Sequence, residues 1–510
     1  MAIYGIDLGT TNSCIASVNK FGQAQVYENL ASKTTTPSVV YFEKEDSVVV
    51  GEQAKEMIPI EPQKVVECIK RDLRNDQKYD KNNGLPFDYN PTQISSMILK
   101  KVVNDLETMS PTHEKVEEVV ITVPANFSET HKQRTREAGI MAGLNVRALI
   151  TEPEAAAYYY GVANNEDENV LIFDLGGGTF DLCLLKITKN IMGTLTLDGV
   201  PNLGGKDWDA ALAEFAIKKI NEEKNENLKF DPQNKLSSFY GVAMQAAERT
   251  KIGLTSSASG KAKYALQFEG HSYNVDISKE EFENATSSLL QQAIDKTDFI
   301  FKKIEDNGWD APKIIILVGG SSKMPQVKSC LEERYHLPVK MSDPDTCVAK
   351  GAAIYAATIG DIPNPVDGRK VRPAASKSYG LEVLDENENS YCCNIIIKDS
   401  PIPEDGLSQM DTFSTIVDNQ RSAMLSVYEN NIADRHVELD KCSVVKEVRF
   451  ELSGNSPRGS RLDVEYHLDR SGLLSVLATT PDGRKCNFEV QAIGVSHNEA
   501  SIQRLDIDVE

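Results

Sequence analysis

Two stretches constrain this chain more than any others: IYGIDLGTTNS from Ile3 to Ser13 and VLIFDLGGGTFDL from Val170 to Leu182. Each runs an apolar strand into an aspartate and a glycine turn. The apolar run predicts a buried strand, and the glycines remove side chains where the chain must reverse sharply. Backbone N–H groups left bare in such a turn can cradle phosphate oxygens. Asp174 and Asp181 would repel phosphate unless a cation lies between. An ordinary hairpin turn accounts for either stretch alone. Asp7 and Asp174, however, stand 167 residues apart, a domain-sized separation. The repetition predicts two related α/β halves that each offer a hairpin to one ligand. A third stretch, KIIILVGGSSKMPQV, predicts a strand at Ile314–Val318, a turn at Gly319–Gly320 and a helix capped by Ser321 or Ser322, whose amides suit a nucleotide. Taken singly, it is a common strand-to-helix connection.

At 510 residues the chain exceeds what one core serves, which predicts two to four domains. Its 55 basic and 76 acidic residues give a net charge of −21, which disfavours generic binding to nucleic acid or anionic membranes. The opening MAIYGIDLGT lacks a leader pattern and no stretch approaches a membrane span, so the expected address is the cytoplasm. Nine cysteines without a C-x-x-C pair read as reduced core residues. Neither a P-loop nor a G-x-G-x-x-G fingerprint occurs, so the phosphates must be held otherwise. Lys70 and Arg71 read as solvated charges at a helix or its end. Glu248 and Lys251, at i,i+3, read as a surface ion pair.

Past residue 360 the texture changes. IGDIPNPVDGRKVRPAASKSYG is rich in Pro, Gly, Ser and basic residues and reads as a boundary. Beyond it the period is two: Leu462, Val464, Tyr466 and Leu468, then Leu474, Val476 and Ala478, then Cys486, Phe488, Val490 and Ala492. Such alternation with turn signals predicts a β-sandwich of short strands.

In sum, IDLGTTNS, IFDLGGGTFD and ILVGGSSKMPQV resemble, in order, the signature segments of the heat shock protein 70 chaperones, whose ATPase domain has the actin-like fold. ITVPANF, EPEAAAYYYG and LGGKDWD fill the intervals, and SYGLEVL, IIIKDSPIP and RLDVEYHLDRSGLLSVLAT resemble the family's peptide-binding β-domain. The resemblance implies an α/β actin-like ATPase domain of two related lobes at 1–362, a linker at 363–377, an all-β sandwich peptide-binding domain at 378–495 and a short tail at 496–510. It implies ATP and ADP with magnesium, and potassium as a further candidate ion. Asp7, Asp174 and Asp181 would face the metal, with Lys70 at the γ-phosphate and Glu152 and Thr179 near the attacking water. Gly9, Thr10, Thr11, Gly176, Gly177 and Gly178 would surround the phosphates. Gly204, Gly205, Glu248, Lys251, Thr255, Gly319, Gly320, Lys323 and Asp345 would lie around the nucleoside. Leu381, Val383, Phe413, Ile416, Ala423 and Leu425 would line the cleft for an extended peptide. The expected activity is ATP hydrolysis by a chaperone that binds unfolded apolar segments, as a monomer, with J-domain proteins and nucleotide-exchange factors as partners. The alternatives are an ATP-binding adaptor of weak turnover and a non-chaperone actin-like ATPase.

Four departures from the family pattern matter. Lys323 replaces the usual arginine against adenine and lacks its flat stack. Arg147 stands one place before the family's arginine near the J-domain surface, with Ala148 in that place. SHNEASIQRLDIDVE follows the β-domain where the family has a helical lid, an expectation of a lidless member with fast peptide exchange. The linker, with Arg369, Lys370, Arg372, Ser376 and Lys377, is basic and polar where the family's is leucine-rich. On that ground Val371 alone is expected to be too little to dock it, and ATP to change peptide release less than about fivefold.

Overall fold

The computed structural model describes residues 3–73, 79, 88–110, 115–163, 167–360, 370–385, 387, 389–470, 472–490 and 502–510. The linker at 363–369 with Arg369, the strand end at Ala492 and the domain end at 495 lie outside them.

The N-terminal apolar run folds as the strand Ile3–Asp7, which turns back into Asn12–Val18 with Asp7 opposite Cys14. Glu118–Val123 lies parallel beside Ile3–Asp7, and Asn145–Thr151 parallel beside that. The second sheet repeats this plan. Glu168–Leu175 reverses into Phe180–Ile187 with Asp174 opposite Asp181, and Ile314–Val318 runs parallel on the other side. These central strands are covered on both faces, so their near-continuous apolar runs (VLIF, IIILV) fit strands without an exposed side.

Two alanine-rich helices, Glu152–Ala163 and Cys347–Ile359, cross in a core shared by both sheets. Small residues are required there. A Cβ on Gly351 would lie 1.7 Å from the carbonyl oxygen of Ala155, so the two backbones meet only because Gly351 has no side chain. The crossing brings the two hairpins to one cleft.

The strands from Ser378–Leu384 to Lys485–Glu489 form a five-stranded sheet, from His436–Glu438 to Ser443–Ser456, and a four-stranded sheet, from Leu407–Ser414 to Lys485–Glu489. Leu381, Leu425 and Val427 of one meet Val464, Tyr466 and Val476 of the other in a single core. The alternation at Arg461–Leu468 is strict, with every second residue buried, as the period of two predicts.

Two segments differ from the sequence reading. Lys370–Arg372 is not an undocked basic linker: it adds a parallel strand to Ile191–Val200, with Val371 opposite Met192 and only 5% exposed. Three residues suffice because strand pairing satisfies the backbone while one valine enters the core. The stretch after 501 is not loose either. Asp508–Val509 pairs in parallel with Ser47–Val50, Ile507 and Val509 join the core around Phe42 and Val48, and Lys100 donates to the Ile507 carbonyl at 2.6 Å. Its alternation Leu505-Asp-Ile507-Asp-Val509 is a strand pattern too short to stand out in sequence.

All nine cysteines are free, and Cys14, Cys183, Cys347, Cys392 and Cys393 are buried. Among the described residues no helix is long and apolar enough to cross a membrane.

Candidate functional site

The cleft between the sheets holds a cavity of about 320 Å³. The hairpin tips face each other across its floor. A Cβ on Gly177 would fall 1.8 Å from Thr11 Oγ1, so the glycine-rich tip lies directly against the threonine tip. Of the sequence-predicted residues, Asp7, Gly9, Thr10, Thr11, Glu152, Asp174, Gly176, Gly177 and Thr179 line this floor. Gly205, Glu248, Lys251, Thr255, Gly319, Gly320, Lys323 and Asp345 line the other end.

Four predicted residues do not line the cavity. Lys70 lies behind Glu152, its ammonium held by that carboxylate and, at 2.5 Å, by the Leu8 carbonyl. Asp181 is wholly buried and accepts from the Ala125 N–H at 3.0 Å. Gly178 offers its carbonyl to Arg71, and Gly204 precedes the helix Gly205–Lys224.

Lys70 and Arg71 are not solvated charges. Lys70 is 2% exposed, and Arg71 bridges the Gly178 carbonyl at 2.7 Å and Asp207 at 2.6 Å, fastening the turn Ile69–Asp72 to the second hairpin. Glu248 and Lys251 do not pair with each other. Glu248 pairs with Lys55 at 2.8 Å across the cleft, and Lys251 with Asp209 at 2.7 Å. Lys323 is held by Asp345 at the half-exposed mouth. Sequence reading missed Arg71, Lys206 and Asp209. The last two sit in the quoted LGGKDWD, immediately after the glycines, and could have been found there.

The floor crowds carboxyl groups together. Asp7, Glu152, Asp174 and Asp181 all lie in the field of the Lys70 ammonium. Burial, then the field of Glu152, pushes the Asp7 carboxyl up to about 7, eased by Lys70 and a hydrogen bond from Thr122. The same causes push Asp174 and Asp181 well above the usual carboxylate range. Asp181 Oδ2 and Thr11 Oγ1 are buried with no hydrogen-bond partner among the described residues. These hard oxygen donors fit a magnesium ion. Among the described residues no three acidic, histidine or cysteine groups form a ready cage. That suits an ion that shares its shell with water and phosphate oxygens.

On the β half, Leu381, Val383, Phe413, Ile416, Ala423 and Leu425 all line one cavity of about 740 Å³. Ile416 and Met424 on its wall are more than half exposed. An open apolar trough with Glu382, Asp411, Arg435 and Glu447 on its walls offers contacts to alternate side chains of an extended strand.

The family model described as Hsp70 protein matches residues 3–510. A chaperone protein dnaK1 from Prochlorococcus marinus subsp. pastoris is 32% identical, over 99% of this chain and 76% of the relative.

Proposed function

Because the chain belongs to the Hsp70 protein family, we infer that it is one of that family's chaperones and that the cavity between its hairpins hydrolyses ATP. Members of the family are ATPases that bind ATP or ADP with magnesium, and they hold unfolded peptides with J-domain proteins and exchange factors as partners. The finer assignments here are our reading. The two sheets are related actin-like lobes, domains run 1–362 and 378–495, and the chaperone works as a cytoplasmic monomer.

The observation that carries the reading is the pairing of the Thr10–Thr11 and Gly176–Gly178 tips above four crowded carboxyl groups. Asp7, Asp174 and Asp181 would hold magnesium, which neutralises phosphate charge when bound; potassium is a second candidate in the same acidic floor. Thr10, Thr11 and the glycine amides orient the phosphates. Glu152 accepts a hydrogen bond from the attacking water, and Thr179 presents its hydroxyl beside it. Lys70, released from Glu152 toward the γ-phosphate, meets charge that grows in the transition state, which lowers the barrier more than it tightens binding. No strong base is present, so turnover is slow. Glu248, Lys251, Thr255 and Lys323 border the nucleoside. Single-turnover hydrolysis of magnesium ATP by the full chain, with Asp7→Ala and Asp174→Ala beside the wild type, tests this. Unchanged calorimetric affinity for magnesium ATP in both variants would remove those aspartates from the site.

The trough at Leu381–Leu425 is the peptide cleft in this reading. Phe413→Ser is expected to weaken binding of apolar heptapeptides, and no binding by the wild type would sink the assignment.

A further inference from the structure

A second cavity, of about 920 Å³, lies between the two halves of the molecule. Eight lysines and arginines face four carboxylates on its walls, in a chain whose net charge is −21. Several of these bases are matched: Lys296 pairs with Asp198 at 2.9 Å and Lys303 with Asp399. Two are not. Lys377 and Lys398, both from the β half, are each only 6% exposed. The Lys377 ammonium donates to a neutral partner, Asn431 Oδ1, at 2.7 Å. The Lys398 ammonium has no hydrogen bond or ion pair among the described residues. The buried carboxylate on the wall, Glu429, already accepts from the Glu129 N–H at 2.9 Å.

Two buried ammonium groups, neither hydrogen-bonded to a carboxylate among the described residues, are costly to keep charged, although Glu429 attracts Lys377 and Asp198 and Asp399 attract Lys398. Burial pushes Lys377 down to about 8, against the attraction of Glu429 and with the repulsion of Lys398 and Lys132, so its charged form is strained here. The carboxylates on the walls leave that strain only partly relieved, and a bound anion would relieve more of it.

We propose that the interdomain cavity is an anion site for a small phosphate-class ligand, gripped by Lys377 and Lys398 of the β half and met by Lys302 of the ATPase half. The donors come from both halves, so the site is complete only while they are docked, and binding favours the docked arrangement. Thr179 lines this cavity as well as the nucleotide cavity, which makes a phosphate leaving the second a natural occupant of the first. The site itself rests on the lysines and not on hydrolysis.

The full chain, its nucleotide cavity filled with a β,γ-imido ATP analogue, is titrated calorimetrically with inorganic phosphate at constant ionic strength. Chloride serves as control and glycerol phosphate as the ester. The wild type is expected to take up phosphate at one site. Lys398→Met should weaken it about tenfold, the loss of one charge-assisted hydrogen bond, and Lys377→Met with Lys398→Met further. The analogue's affinity should not change. Tighter binding of the ester assigns the site to phosphate esters, and the reverse to the free ion. No phosphate uptake by the wild type, or equal uptake by the double variant, overturns the proposal. If the double variant does not fold, amide exchange in the wild type decides: phosphate, and not chloride, should slow exchange at Lys370–Arg372, and no slowing overturns it.

Discussion

The ammonium of Lys70 is locked on the carboxylate of Glu152, a buried pair whose side chains are 3% and 10% exposed. The same two residues that our reading assigns to the chemistry therefore hold each other. Lys70→Ala should abolish turnover while nucleotide still binds. It should also leave Glu152 unpaired among Asp7, Asp174 and Asp181, at a cost of about 3–5 kcal/mol. Adding Glu152→Gln should restore thermal stability and not turnover. Single-turnover hydrolysis equal to wild type in Lys70→Ala would remove the lysine from the reaction.

The approach of Gly177 to Thr11 makes a steric prediction. Gly177→Ala should push the hairpins apart and weaken magnesium ATP binding, because the new methyl would meet Thr11 Oγ1 at 1.8 Å. Thr11→Gly in that background should recover part of the loss by opening the space. A double-mutant cycle without coupling would mean that the tips do not meet in solution.

Docking of Lys370–Arg372 reverses the expectation of a silent linker. Val371 buries roughly 1.5–3 kcal/mol of apolar surface, comparable to the whole of a typical coupling energy. We expect ATP to change peptide release by more than about fivefold in the wild type, and by less in Val371→Asp. Stopped-flow release of a fluorescent peptide reads this directly, and equal responses in the two proteins would rule out the strand as transmitter.

Docking should also depend on pH through Glu129, which is packed against the β half. Its backbone donates to Glu429, its carboxylate accepts from Tyr379 at 3.1 Å, and Lys132 and Arg136 act on it. Burial pushes its carboxyl up to about 7. The docked state therefore holds this proton more tightly than an exposed carboxyl would. That contribution is complete below the ordinary carboxylate range and is lost as pH rises through about 7. Lys377, depressed to about 8, changes its contribution only above that pH. Small-angle scattering should show the wild type loosening between about pH 5 and pH 8 and Glu129→Gln staying compact. Identical profiles would exclude Glu129 as the titrating group.

The hairpins, the third glycine turn and the alternating strands were legible because each is a local pattern: an apolar run, a turn residue, a period of two. Lys70 and Glu152 became candidates only through resemblance, since nothing local distinguishes a buried lysine from a solvated one. The partners of Glu248 and Lys251 were misread for the same reason. Helical spacing reports which side chains share a face, whereas Lys55 and Asp209 reach them from other elements. Val371 was undervalued because hydropathy counts side chains, and strand pairing is a backbone interaction that no composition reveals. Arg71 joins its own turn to the second hairpin through a carbonyl, a contact that depends wholly on the tertiary arrangement.

The strand at Asp508–Val509 gives the β half a second attachment to the α/β half, besides the one at Lys370–Arg372. A module held at both ends cannot diffuse away when one attachment fails. Rebinding of the freed strand is then intramolecular, at an effective concentration on the order of millimolar for a short tether. While it is away, the edge at Ser47–Val50 is bare and able to accept a strand from another molecule. Fast recapture keeps that interval short, so the same few residues that tie the halves together also guard the chaperone against joining the aggregates it meets.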